Sequence, residues 1–289
     1  FGRRKMTITG NKESVVTELI KKAQESLDLS IEAYEDKVNR LIDEHTSFEE
    51  VTDILIKTAL ENIDEATPDW TFFASRLYLQ ELYRQAANNR NYDIEDKYGD
   101  LYQLIKQLTD KGIYTPILLK KYTKEEIDFF NKHIDPEKDK LFHYLAIYTL
   151  ATRYLATDHD KNTYELPQER WMIIAMHLMQ DEDKSQRKQL VLEAYWALSN
   201  LYMTVATPTM NNAGKTHGQL SSCFIDTVDD SLQSIYDVNT DVAQLSKNGG
   251  GIGVYMGKVR GRGSSIKGFK GMSSGVVPWI RQLNNTAVS

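Results

Sequence analysis

The chain has 289 residues, 41% hydrophobic and 26% charged, with a formal net charge of −6 and a single cysteine. That length allows one large domain or two to three small ones. The lack of any run of 18 apolar residues excludes a spanning helix, and one Cys excludes an internal disulfide framework and fits a reducing cytoplasm.

The opening residues, FGRRKM, are not a signal peptide, because no apolar stretch follows the basic cluster. They lack an initiator Met, which suggests a start inside a longer chain or processing. Residues 11–203 then read as one helix after another. Val15, Val16, Leu19, Ile20, Ala23 and Leu27 recur at helical spacing. SFEE at 47–50 is a capping box ahead of an apolar face made by Val51, Ile54, Leu55, Ala59 and Ile63. TPDW at 67–70 opens the next helix with Pro68 in its first turn, and TKEE at 123–126 is a second capping box. Further helices are expected over 97–112, 137–157, 168–180 and 184–203. After Tyr202 the texture becomes rich in Thr, Asn, Gly and Ser. SSCFI and GIGVYM read as strands, 231–245 as a helix between them, and GVVPWIRQLNNTAVS as a terminal helix.

Several constellations invite a site. DHDKNTYELPQE places Asp158, Asp160, Asn162 and Glu169 at calcium-loop spacing, but Thr163 stands where that loop needs Gly, so a hairpin or polar loop is the better reading. The six histidines show no ligand spacing, and no metal site is expected. Cys223, in an apolar strand-like context, reads on its own as an inert buried side chain; the alternative is a redox thiol whose partner lies outside the chain. NGGGIGVYMG is not a dinucleotide fingerprint, because its glycine spacing is wrong and a strand rather than a helix follows. From Val242 onward there are seven Lys or Arg and no acid, which leaves the preceding residues at −13. Glycines let backbone N–H groups approach an anion, and Lys247, Lys258, Arg260, Arg262 and Lys267 stand nearby. A basic, glycine-rich loop on an acidic body suits a compact phosphate ligand better than nucleic acid.

Five motifs in order, ATPTMNNAG, QLSSCFI, DDSL, SKNGGGIGV and RGRGSSIKG, resemble the large (catalytic) subunit of class I ribonucleotide reductases. Upstream, PDWTFFASRLYL, KDKLFHYLAIYTLATRYL and ELPQERWMIIAM are similar to the family's N-terminal helical region. The resemblance implies a mainly α portion leading into the first strands of a ten-stranded α/β barrel. It divides the chain into an ATP-cone-like module (1–85), a helical N-terminal domain (86–203) and the start of the barrel (204–289). It implies reduction of ribonucleoside diphosphates to their 2′-deoxy forms by thiyl-radical chemistry. Cys223 would be one half of a redox-active disulfide with a cysteine outside this chain, and Thr207, Ser222 and Gly251 would contact substrate.

The glycine-rich basic loop resembles the family's specificity site, where a dNTP or ATP, with Mg2+, binds at a dimer interface. Asp230, Ser231 and Leu232 match the segment that reads base and sugar, Lys247 and Arg260 its phosphate side, and Lys267 and Gly268 the end of the loop. The implied partners are a radical-generating, metal-containing small subunit, a second large subunit, and a thioredoxin- or glutaredoxin-type reductant. No covalently bound cofactor, membrane or nucleic acid is implied, and the location is cytoplasmic. The ATP-cone match departs from pattern: its first basic strand would precede Phe1, and Arg84 stands where a lysine is usual, which argues against a working activity site. The radical cysteine and the rest of the barrel would lie beyond Ser289, in a fuller chain or in the other half of a split enzyme. A non-catalytic nucleotide sensor using the same loop is the alternative.

Overall fold

A computed structural model describes residues 12–268 and 270–289; the FGRRKM stretch and the start of the cone-like module lie outside the described residues. The chain forms two compact units. Residues through Thr204, together with Ala213–Thr216, make one, and Val205–Asn212 with His217–Ser289 make the other.

The first unit is helical. α1 (Lys12–Gln24), α2 (Glu32–Leu41), α3 (Phe48–Glu61) and α4 (Trp70–Arg90) enclose one apolar cluster. Its centre is Tyr34, Trp70 and Phe73, with ring centroids 5.0–5.1 Å apart. The capping box at the start of α3 forms as the sequence predicts: the Glu50 amide donates to Ser47 Oγ (3.2 Å) and the Ser47 amide to Glu50 Oε2 (2.7 Å). Pro68 falls before α4 rather than in its first turn, because its carbonyl already closes the preceding turn by accepting the Thr71 amide (3.1 Å). α4 runs through residue 85 without a break. Arg84 donates to Glu81 at 2.8 and 2.6 Å and lies 4.9 Å over the Phe48 ring.

α5 (Leu101–Asp110), α6 (Ile117–Lys121), α7 (Lys124–His133), α8 (Tyr144–Arg153), α9 (Pro167–Leu178) and α10 (Lys184–Ser199) follow. The capping box at Thr123 forms at the start of α7. The single helix expected over 137–157 is instead a 3-10 turn at Pro136–Leu141 and then α8. Phe142 is extended (φ −77°, ψ 129°), and the His143 side chain, accepting from the Ala146 amide, caps a new start. Asp158 spends its carboxylate on its own turn, accepting the Asp160 and Asn162 amides at 3.0 and 2.8 Å, while Thr157 and Thr163 pair as an antiparallel bridge. The hairpin reading of that stretch is the one the structure takes.

Glu169, the last of the calcium-loop acids, is buried against Arg90 in a two-pronged pair, Nη1–Oε1 2.7 Å and Nη2–Oε2 2.9 Å. Arg170 pairs with Glu165 at 3.4 Å and donates to the Ala213 carbonyl, so the segment Ala213–Thr216 is held by helical-unit partners. The Thr115 amide donates to Gly214 O (2.9 Å), and the Thr216 amide donates to Ile113 O (3.0 Å). Asp139, 1% exposed, accepts from the Tyr83 and Tyr98 phenols at 2.5 and 2.7 Å and from Gln168 Nε2 at 2.8 Å. Burial pushes its carboxyl up to about 6 against these bonds.

The second unit comprises α11 (Thr207–Asn212), β1 (Cys223–Thr227), α12 (Leu232–Lys247), β2 (Gly251–Tyr255) and α13 (Val277–Val288). β1 and β2 pair in parallel, as their connection through α12 requires. The two strands, α12 and the terminal helix fall where the sequence places them. α11 does not, since the sequence reads only a polar stretch there. The core is Val228, Ile235, Val238, Val242 and Leu283, with Ile252, Val254, Met256, Val259 and Trp279 packed against it. No helix among the described residues is long and apolar enough to cross a membrane.

Candidate functional site

The β-strand period of two decides which residues of the second unit face outward. Cys223, Ile225 and Thr227 share one face of β1 with Gly251, Gly253 and Tyr255 of β2, and all six are exposed; Phe224, Ile252 and Val254 turn the other way. Register sets Cys223 directly beside Gly251. The expectation of a buried side chain is not met: Cys223 is free and exposed. Hydrophobic neighbours such as Phe224 mark a strand, but they do not say which of its two faces is covered. Ser222 joins the same point, its carbonyl accepting the Gly251 amide (2.8 Å) and its Oγ lying 3.5 Å from Cys223 Sγ. The open face is flat at this place because Gly251 and Gly253 add no side chain.

Thr207 begins α11. That helix is tied to the chain just ahead of β1, with Thr209 Oγ1 donating to Leu220 O (2.8 Å) and Asn212 Nδ2 to Gln219 O (2.9 Å). Structure thus gathers Ser222, Cys223 and Gly251 at one spot and bonds α11, the helix that carries Thr207, to the two residues at the entrance to that strand.

The glycine-rich run is more ordered than a flexible loop. Gly249, at φ +79°, ends α12, with its amide bonded to Ser246 O (2.9 Å) and the Gly250 amide to Leu245 O (3.0 Å). Any Cβ on Gly250 would collide with the Phe224 ring. These two glycines stop a helix and pack a strand, and the loop proper starts only after Tyr255. Gly268, at φ +85°, turns that loop in a conformation that favours glycine.

Asp230, Ser231 and Leu232 form the entrance to α12. Ser231 is the N-cap, its Oγ accepting the Ser234 amide at 3.1 Å. Arg260 lies against Asp230, donating Nε to Oδ2 (2.9 Å) and Oδ1 (3.1 Å) and its backbone amide to Oδ1 (3.1 Å). These bonds hold the Asp230 carboxyl below the usual carboxylate range. Arg260 Nη1 also reaches Ser265 O (3.0 Å), bracing the stretch that leads to Lys267 and Gly268, both exposed. Lys247 stands apart from this group: at about 1.5 Å per residue, α12 puts it roughly 24 Å along the axis from Ser231.

Sequence reading passed over a second ion pair, Lys258 Nζ to Asp229 Oδ1 at 3.0 Å. Its one signal was two consecutive acids before α12 and two bases spaced two apart after β2. Exposed apolar side chains also went unread, with Leu232 and Tyr236 on α12 and Val277 and Ile280 on α13 all exposed. Among the described residues no group of three or more His, Cys, Asp or Glu could hold a metal ion.

The architecture, a helical region followed by the parallel β-α-β opening of a barrel, is what two family models describe. One, ribonucleotide reductase all-alpha domain, matches residues 140–218, and the other, ribonucleotide reductase barrel domain, matches residues 221–289. Over 241 residues (83% of this chain) the sequence is 40% identical to a ribonucleoside-diphosphate reductase subunit alpha of Helicobacter pylori. It is 37% identical over 246 residues to that of Treponema pallidum and 32% identical over 263 residues to that of Synechocystis sp.. The matched region is 29% of the first two relatives and 33% of the third, so the chain spans about a third of their length or less. The chain belongs to the ribonucleotide reductase large-subunit family.

Proposed function

We propose that these residues are part of an enzyme reducing ribonucleoside diphosphates to 2′-deoxyribonucleoside diphosphates. The observation that carries the reading is the exposed Cys223 thiol beside Gly251 on the open face of the β1–β2 pair. Cys223 and a second cysteine outside this chain give up two hydrogens as they join in a disulfide. The ribose 2′ hydroxyl leaves as water, and a thioredoxin- or glutaredoxin-type dithiol restores the pair. Thr207, Ser222 and Gly251 supply hydroxyl and backbone donors to the substrate. The initiating radical comes from a metal-containing small subunit, a partner that the relatives' name, subunit alpha, also implies.

Asp230, Ser231, Leu232, Lys247, Arg260, Lys267 and Gly268 form the specificity site for a dNTP or ATP, with Mg2+ carried by the nucleotide's phosphates. The length of α12 separates Lys247 from the others, and a homodimer reconciles this: Lys247 of one copy can then serve the site of the other. Exposed Leu232, Tyr236, Val277 and Ile280 offer an apolar face for such pairing. The 1–85, 86–203 and 204–289 divisions remain the proposed domains, acting in the cytoplasm with the rest of the barrel supplied by a longer chain or a separate half.

Replacing Cys223 with Ser in the assembled enzyme tests this. Turnover with the dithiol reductant is expected to vanish while dNTP binding persists. Turnover that continues with the physiological dithiol refutes the assignment and leaves a nucleotide sensor as the better reading.

A further inference from the structure

Two acids and two bases face each other between the entrance to α12 and the loop after β2. Asp229 holds Lys258, and Asp230 holds Arg260 through both carboxylate oxygens. Asp229 and Asp230 are consecutive and Lys258 and Arg260 lie two apart, so the pairs are neighbours. No acid occurs from Val242 onward, so the loop's cations have no acid of their own segment to pair with; these two take theirs from before α12. Arg262 and Lys267 of the same loop are exposed.

We infer that Asp229 and Asp230 stand in for an anion and hold this site closed, and that Lys258 is a second phosphate-binding residue beside Arg260. On arrival of a nucleotide triphosphate, each base exchanges its carboxylate for phosphate oxygens. The inference rests on the specificity-site reading above. A guanidinium fork fits carboxylate and phosphate alike, and an ammonium serves either as a point charge. Both pairs are substantially exposed, with side-chain exposures of 57% and 67% for Lys258 and Asp229 and 36% and 37% for Arg260 and Asp230. Such pairs are weak enough to yield to a ligand carrying several charges. The exchange also resolves a conflict of roles. Arg260 Nε lies against both Asp230 oxygens, and its turn to phosphate leaves more of that carboxylate open to a sugar hydroxyl.

Titration calorimetry on the 289-residue chain, with inorganic tripolyphosphate and with dTTP, tests this, circular dichroism confirming that each variant is folded. Asp229→Asn should tighten tripolyphosphate binding about twofold to fivefold, the range open to an exposed pair. Lys258→Gln should weaken it by a similar factor, and Asp229→Asn should bring no gain in the Lys258→Gln background. Asp230→Asn should tighten tripolyphosphate yet weaken dTTP. Asp237→Asn, which removes an exposed acid elsewhere on α12, should change neither by as much as twofold. A gain from Asp229→Asn that survives Lys258→Gln, or that Asp237→Asn matches, is a general charge effect and overturns the inference while leaving the specificity site standing. Equal gains for both ligands in Asp230→Asn overturn the exchange at Asp230. No saturable binding of dTTP by the wild type or any variant overturns the site reading and the inference together.

Discussion

Replacing Arg90 with Met puts the interior of the helical unit to a direct test. The Arg90 guanidinium makes four hydrogen bonds: two to the Glu169 carboxylate, one to Tyr164 O at 3.0 Å and one to Asp100 O at 3.3 Å. Side-chain exposures of 2% and 0% leave neither partner an alternative in water. Met fills similar volume but leaves Glu169 charged in a low-dielectric setting, with only the Leu166 amide as a compensating donor. Breaking such a pair from one side costs about 3–5 kcal/mol. With an m-value near 3 kcal/mol/M, the urea midpoint of the helical unit should fall by about 1–1.7 M. Burial raises the Glu169 carboxyl while Arg90 lowers it, so removing Arg90 leaves burial dominant. The variant should therefore regain stability as pH drops and Glu169 takes up a proton. Adding Glu169→Gln to Arg90→Met should restore much of the loss. A single variant within about 0.5 kcal/mol of wild type by urea titration, the range of an ordinary surface change, would refute this reasoning.

Two further outcomes follow from groups already described. Burial pushes the Asp139 carboxyl up to about 6 in the folded state, against an ordinary 3.8 when unfolded. Its folded value is raised, so its contribution favours the folded state below pH 4, declines as pH rises to about 6 and is flat above, a swing of about 3 kcal/mol. Subtracting the stability–pH curve of Asp139→Asn from that of wild type should reveal that decline, and a flat difference would show that the carboxylate is fully satisfied by Tyr83, Tyr98 and Gln168. Gly214→Ala should lower the melting midpoint through a cost of about 1–3 kcal/mol, because φ is +76° and the added Cβ collides with Ile173 Cγ2; an unchanged midpoint would mean that the segment relaxes freely.

Local chemistry made much of the fold readable. Capping boxes at Ser47 and Thr123 and the apolar spacing of the helices act over a turn or two, so sequence carries them in full. The break between Leu141 and Tyr144 was hidden because the apolar period continues across it while Phe142 leaves helical geometry. α11 was hidden for the opposite reason, its Thr-Pro-Thr-Met-Asn-Asn composition looking like loop although hydrogen bonds to Gln219 and Leu220 hold it. At the site, residue types were legible and pairings were not. Nothing local joins Asp230 to Arg260 across 30 positions; α12 and the β1–β2 register do that. Likewise Cys223 beside Gly251 is a fact of register, invisible until both strands are aligned.

The passage of Ala213–Thr216 through the helical unit bears on how this protein can be cut. Thr204 to Val205 looks like a natural seam, yet the chain crosses from one unit to the other three times, after Thr204, after Asn212 and after Thr216. A fragment starting at Val205 would carry off four residues shaped to fit Ile113, Thr115 and Ile173, and would strip Arg170 of the carbonyl it donates to. Severing that one peptide bond leaves the halves sewn together, and only a second and a third cut, on either side of the four residues, would part them cleanly.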